Sequence, residues 1–317
     1  MFGEFHHLPG AALTPLQPGD RVGPHEIFRV LGTGAQSTVY AVRHLGTGHR
    51  MALKVLTSDE VAMERRIVRE AAALSRLRHP NIVRTHGMLD VGGRPAMLVD
   101  LVEGGSLATR VPAGGLDATA LRRLSRGLLG GVAHAHTMGL VHRDLKPENV
   151  LVREVDDRPL VCDFGLVRVL GLDRFAAYRT RSGAAMGTLG YMAPEQTTDA
   201  HHVDHRADIF ALGALLYAMS TGQPAFPGKD VVDVARRTWR GEYRDPRDHV
   251  PALDPAWVEG IRAALQPDPG ARPATVGALA ALVLGADAAG IDGTPPVPPA
   301  AGSPVDATFN DEARLDD

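Results

Sequence analysis

Regular alternation of apolar and polar positions begins at Ile27. Three runs, IFRVLG, STVYAVRH and HRMALKVL, are rich in β-branched and aliphatic residues, and glycine-containing turns at 32–34 and 46–48 separate them. They read as consecutive strands. Residues 58–77 switch to a helical period, with Val61, Ile67, Leu74 and Leu77 apolar and Arg65, Arg66 and Arg69 on other faces. His79-Pro80 ends that stretch, because the residue before proline is biased away from the helical region. Two more strand-like runs follow, IVRTHGML and PAMLVDLV. After Gly104-Gly105 helical periods dominate, over 117–138, 205–221, 229–241, 254–265 and 273–285. The pattern predicts an α+β chain: a small β-rich unit with one main helix, then a larger helical unit.

The two ends lack such periodicity. Residues 1–25 hold several Pro and Gly and read as an N-terminal extension. Residues 286–317 are rich in Pro, Ala and Asp, with too few large apolar residues to repay the entropy of ordering, which predicts a disordered tail.

Composition narrows the function classes. The 317 residues carry 34 basic and 37 acidic side chains, a net charge of −3, which argues against a nucleic-acid binder. A single cysteine excludes an intrachain disulfide and fits a reducing compartment. The longest apolar run, near 276–286, is far shorter than the roughly 20 residues needed to span a bilayer, and the N-terminus has no signal-peptide pattern. The reading is cytoplasmic, without a transmembrane segment. Of the 34 basic residues only Lys54, Lys146 and Lys229 are lysine, so a lysine that persists here invites a reason.

The candidate chemistry begins at Leu31-Gly32-Thr33-Gly34, where residues without Cβ let backbone amides approach phosphate oxygens. A plain hairpin turn accounts for these glycines equally well. Ser37 stands where a GxGxxGxV loop has its third glycine. Lys54 lies inside the apolar run MALKVL, where an ammonium needs an anionic partner, and Glu70 on the predicted helix is a candidate. Then come His142-Arg143-Asp144-Leu145-Lys146-Pro147-Glu148-Asn149, Asp163-Phe164-Gly165 and Ala193-Pro194-Glu195, in that order.

Together these motifs resemble the protein kinase family, specifically the eukaryotic-like Ser/Thr kinases of bacteria, over residues 26–285. The resemblance implies a bilobal kinase fold with an N-lobe at 26–99, a hinge at 100–104 and a C-lobe at 105–285. It also implies transfer of the ATP γ-phosphate to protein Ser or Thr hydroxyls. Lys54, fixed by Glu70, is expected to hold the α- and β-phosphates. Asp163 and Asn149 are expected to hold Mg²⁺, with Mn²⁺ able to substitute. Asp144 is expected to orient the substrate hydroxyl, and Lys146 to neutralise the γ-phosphate. Leu31, Gly32, Gly34, Ser37, Val39, Ala52 and Leu151 match nucleotide-contacting positions. Val99 matches the gatekeeper, a small one that leaves a rear pocket accessible, and Asp100 and Val102 match the adenine hinge.

Thirty-one residues separate Asp163 from Glu195, enough for an activation segment. Thr180 and Ser182 match autophosphorylation positions, with Arg143 placed to pair the phosphate, while Thr188 matches a residue that contacts the catalytic loop. The expected partners are protein substrates and a second copy of the chain, as a transient dimer during trans-autophosphorylation. Glu195 with Arg272, and Asp208 with the catalytic-loop backbone, are expected supports. The competing reading, prompted by Ser37, is a catalytically weak scaffold that only binds nucleotide.

Overall fold

The structure is a computed structural model, and it describes residues 15–34, 37–56, 74–164, 189–197 and 203–291. Among the described residues six antiparallel strands form one sheet: β1 Arg21–Val22, β2 His25–Thr33, β3 Ser37–His44, β4 Arg50–Leu56, β5 Thr85–Val91 and β6 Arg94–Asp100. Their spatial order is β1-β2-β3-β4-β6-β5. The five strand-like runs of the sequence are all present. The short β1 was not legible, and it brings part of the expected extension into the sheet.

Register explains how one sheet serves two purposes. Val39 pairs with Lys54, Ala41 with Ala52, Lys54 with Met97 and Ala52 with Val99. Directly paired residues share a face, and alternate residues of one strand share it too. One face therefore carries Val39, Ala41, Ala52, Lys54, Met97 and Val99. The opposite face carries Tyr40, Val42, Leu53, Val55, Ala96 and Leu98, which close a separate small core with Val22, Ile27, Met51 and Val91. The first face looks toward the helical part of the molecule, whose large core includes Met97.

Residues 101–103 join β6 to a second, three-stranded sheet: β7 Gly104–Ser106, β8 Val150–Arg153 and β9 Arg158–Val161. Gly104 has φ +146°, and a Cβ there would lie 2.1 Å from the Val152 carbonyl oxygen, so only glycine fits this corner. β9 is tied back by the Val83 amide to the Val161 carbonyl (2.9 Å) and the Val161 amide to the Asn81 carbonyl (2.9 Å).

The helices are α1 Leu107–Arg110, α2 Ala118–Thr137, α3 Arg206–Thr221, α4 Val231–Arg240, α5 Pro255–Ala264 and α6 Val276–Leu284. The last five match the predicted periods closely. Asp117, Asp230, Asp254 and Thr275 cap α2, α4, α5 and α6 by accepting from a first-turn amide. Helix α3 is buried on all sides, as its unbroken apolar sequence demands. Gly213 on α3 lets α5 approach, since a Cβ there would lie 2.6 Å from Cβ of Ala264. Among the described residues no helix is long and apolar enough to cross a membrane. The helix predicted over 58–77 lies outside the described residues up to 73; Leu74 and Leu77 are buried in the large core.

Candidate active site

The loop from 140 to 149 leaves α2 and enters β8, and Asp208 organises its start from below. Its carboxylate, wholly buried on α3, accepts from the His142 amide (Oδ2, 2.7 Å) and the Arg143 amide (Oδ1, 2.8 Å). His136 of α2 bonds the same Oδ2 at 2.8 Å. Burial pushes the Asp208 carboxyl upward. The hydrogen bonds from His136 and from the His142 amide outweigh it, so the net shift is downward and the group stays ionised.

Arg143 is held in the left-handed region at φ +65°, which costs a non-glycine residue about 1–2 kcal/mol. Its amide bonds Asp208, its carbonyl accepts from Gln196 Nε2 at 2.9 Å, and its Nη2 donates to the Val203 carbonyl at 2.9 Å. Strain at a residue held by so many partners is a frequent mark of a functional loop.

The next residues converge. Asn149 Nδ2 donates to the Asp144 carbonyl (2.7 Å) and to Asp144 Oδ2 (3.0 Å), while Lys146 Nζ stands 3.3 Å from the same oxygen. His142 is buried beneath them. Its Nδ1 accepts from the Asp144 amide (3.2 Å), so Nε2 carries the proton and donates to the Cys162 carbonyl (2.8 Å). This single ring spans the two segments that bring Asp144 and Asp163 together. The Cys162 amide to the Asn149 carbonyl (3.0 Å) is a second tie, and Phe164 packs on the His142 ring at 4.6 Å. Asp163 itself has φ +64°.

Across the cleft, Lys54 Nζ lies 2.7 Å from Asp163 Oδ2. Sequence reasoning named Glu70 as the partner; Glu70 lies outside the described residues, and the pair the structure displays is with Asp163. Behind them a cavity of about 40 Å³ is lined by residues including Lys54, Thr85, Met97, Val99, Cys162 and Phe164. Val99 is among the residues that line it. The Cys162 thiol is pushed well up by burial and then by the Asp163 charge, so it remains protonated.

The glycine turn is a hairpin closed by the Gly34 amide on the Ser37 carbonyl at 2.8 Å, with bulges in the β2–β3 pairing. Val39 and Ala52 lie on the same sheet face as Lys54, and Leu151 pairs with Ser106 and Leu160 in the small sheet beneath. Asp100, at the end of β6, pairs through Oδ1 with His86 Nε2 at 2.6 Å, and its amide bonds the Arg84 carbonyl. Leu31 is exposed and Val102 half-buried, on either side of the cleft.

Arg272 meets Glu195 bidentately, at 2.6 and 2.8 Å, and also donates to the carbonyls of Gln266, Arg206 and Pro267. Its guanidinium lies 5.0 Å from the Phe210 ring centre. The expected supports are thus in place. Thr180, Ser182 and Thr188 lie outside the described residues. Three further residues went unread: His136, Gln196, which bridges to the catalytic loop, and Trp239, whose indole N–H donates to Thr197 Oγ1 at 2.8 Å. None stands in a motif that points to its partner. Their roles depend on contacts across 72, 53 and 42 residues.

Known proteins share this arrangement. The protein kinase domain family matches residues 25–282. The DNA damage-responsive serine/threonine-protein kinase RqkA of Deinococcus radiodurans is 36% identical over 281 residues, covering 84% of this chain and 41% of the relative. Serine/threonine-protein kinase PknL of Mycobacterium tuberculosis is 33% identical over 261 residues, covering 81% of this chain and 63% of the relative. The chain therefore spans less than two thirds of the length of these curated relatives. Among solved structures, the kinase domain of PknI from Mycobacterium tuberculosis superposes with a TM-score of 0.67 at 25% identity, over 85% of this chain and 98% of that one. Rad53 in complex with AMP-PNP gives a TM-score of 0.68 at 29% identity, over 82% of this chain and 66% of that one. With the family's fold and motif order present and residues 25–282 matched, this chain belongs to the serine/threonine protein kinase family.

Proposed function

We propose that the cleft binds ATP with a divalent cation and transfers the γ-phosphate to Ser or Thr hydroxyls of proteins, with a second copy of the chain among the substrates. The observation that carries this reading is the convergence of Asp144, Lys146, Asn149, Asp163 and Lys54 from three separate segments.

The donor set fits Mg²⁺. Asp163 offers carboxylate oxygens, and Asn149 spends its amide nitrogen on Asp144, which leaves Oδ1 as its donor to a hard cation. Gly32 fits a phosphate, since a Cβ there would meet nothing of the protein within 4 Å. Bound Mg²⁺ supplies neutralisation of phosphate charge and alignment of the reacting groups.

The chain's own residues do the rest. Lys54 is a compact point charge on a strand; with nucleotide present its ammonium exchanges part of its contact with Asp163 for phosphate oxygens. Asp144 is fixed by Asn149 and Lys146, and its carboxylate accepts the hydrogen bond of the incoming hydroxyl and takes its proton. Lys146 stands beside it to balance charge on the transferred group. Positioning of this kind, more than covalent help, is what phosphoryl transfer requires. Phosphorylation at Thr180 or Ser182 orders the segment before Glu195, with Arg143 as a cationic partner.

The test is incubation of the purified full chain with labelled ATP and either Mg²⁺ or Mn²⁺, followed by phosphosite mapping. Label on Ser and Thr of a generic protein substrate, and on Thr180 or Ser182 of the chain, is the expected result. Nucleotide binding without transfer under either metal points to the scaffold reading instead.

A further inference from the structure

The short turn Pro194–Thr197 follows the Ala193-Pro194-Glu195 motif, and each of its last three side chains is pinned to a different part of the molecule. Glu195 goes to Arg272, and Thr197 receives the Trp239 indole from α4. Gln196 reaches the catalytic loop. Its amide is fully specified by two partners of opposite kind: Oε1 accepts from the Ala193 amide at 3.0 Å, and Nε2 donates to the Arg143 carbonyl at 2.9 Å. A flipped amide would set oxygen against oxygen, so the orientation is fixed by chemistry.

The carbonyl it holds belongs to the strained residue beside Asp144. The Arg143 amide is clamped by Asp208 at 2.8 Å, and its carbonyl by Gln196. These two bonds grip the residue from both sides at φ +65°. Remove the second and the peptide between Arg143 and Asp144 keeps the longer bond of the Asp144 amide to His142 Nδ1 (3.2 Å) but loses the tie on its carbonyl. The Asp144 carboxylate is then aimed less tightly at the position that Asn149 and Lys146 define for it.

We propose that Gln196 is a positioning residue for phosphoryl transfer: it acts through the Arg143 carbonyl to aim Asp144, and so couples the turn after Ala193-Pro194-Glu195 to the catalytic carboxylate. This rests on the kinase reading above. Gln196 bonds the Ala193 amide and the Arg143 carbonyl and so acts through the backbone, and its loss is expected to act on kcat while nucleotide affinity stays near wild type.

The experiment compares the full-length wild type with Gln196→Met and Gln196→Glu, using Mg²⁺, ATP and a generic Ser/Thr protein substrate. Gln196→Met keeps the length and loses both bonds; kcat falls by between about tenfold and about a hundredfold, while nucleotide Kd and Tm stay near wild type. Gln196→Glu keeps the acceptor for Ala193 but sets a carboxylate oxygen against the Arg143 carbonyl. Its kcat is equally low near pH 8. It recovers several-fold relative to wild type as pH falls toward about 6, where a protonated carboxyl donates to that carbonyl. Wild-type kcat in Gln196→Met overturns the proposal. So does a pH-independent ratio for Gln196→Glu, or a collapse of Tm and nucleotide affinity in both variants, which assigns Gln196 to folding alone. If the wild type itself transfers no phosphate, the kinase reading falls, and this inference with it.

Discussion

The two walls of the cleft are built differently. On the helical side each reacting group is over-determined: Asp208 takes three hydrogen bonds, His142 bridges two segments, and Asp144 is held through Asn149, Lys146 and the Arg143 backbone. Of these partners, Asp208, His136, His142 and Asn149 are buried. On the sheet side Lys54 stands with Asp163 as its displayed partner, on a sheet whose other face closes a small core of its own, and the glycine hairpin projects exposed residues. The difference assigns the work. On the proposed reading, the rigid wall holds the carboxylate that meets a hydroxyl within a fraction of an ångström, and the sheet wall holds groups that bind a flexible polyphosphate and release it.

The most damaging change on the rigid side is expected to be Asp208→Ala. It strands two backbone amides and His136 in a dry site, at a cost of about 3–5 kcal/mol, and it removes the grip on Arg143. Urea unfolding reads the loss, and phosphoryl transfer should vanish with it. An unfolding midpoint within error of wild type would break the contrast between the walls.

Lys54→Met, on the other side, should separate stability from function. Its pair with Asp163 is partly exposed and contributes about 1 kcal/mol or less to folding. Transfer should nevertheless drop at least about a hundredfold, because a phosphate-facing charge is lost. A variant that unfolds easily would show that the sheet wall depends on this ion pair for its folding.

The smallest effect expected is one of pH. The His25 imidazole is lowered by burial and then by the charge of His44, and His79 by burial and then by His134. In each the folded state binds its proton more weakly than the unfolded chain. Their contribution to stability is full above the unfolded value near pH 6.5 and shrinks as pH falls below it. Denaturant midpoints at about pH 5 and about pH 7.5 should show this decline, and His25→Gln should reduce it. Because His25 is buried on β2 opposite Val22 of the small core, an unchanged slope would move the acid-sensitive site to the helical side.

Much of this was legible in the chain. The strands at Ile27, Ser37 and Arg50 follow from period-two runs broken by glycine, and the helices from α2 to α6 follow from their apolar spacing. The groups proposed as catalytic stand in short, ordered motifs whose residue types follow from the chemistry of phosphoryl transfer. The three lysines illustrate this. Lys54 and Lys146 stand in the cleft, while Lys229 is an exposed residue just before α4. Three features escaped. The two-residue β1 is too short for periodicity. The Lys54–Asp163 pair joins segments that only the tertiary fold brings together. Gln196 looks like any glutamine after a turn until its amide is seen on the Arg143 carbonyl.

One measurement tests the central claim most directly: single-turnover phosphate transfer by wild type and by Asp144→Asn, with nucleotide affinity determined on the same samples. Asparagine preserves shape and removes the proton acceptor, so transfer should fall by a factor on the order of 10² to 10⁴ with ATP affinity unchanged. Equal transfer by the two proteins would contradict the assignment of Asp144.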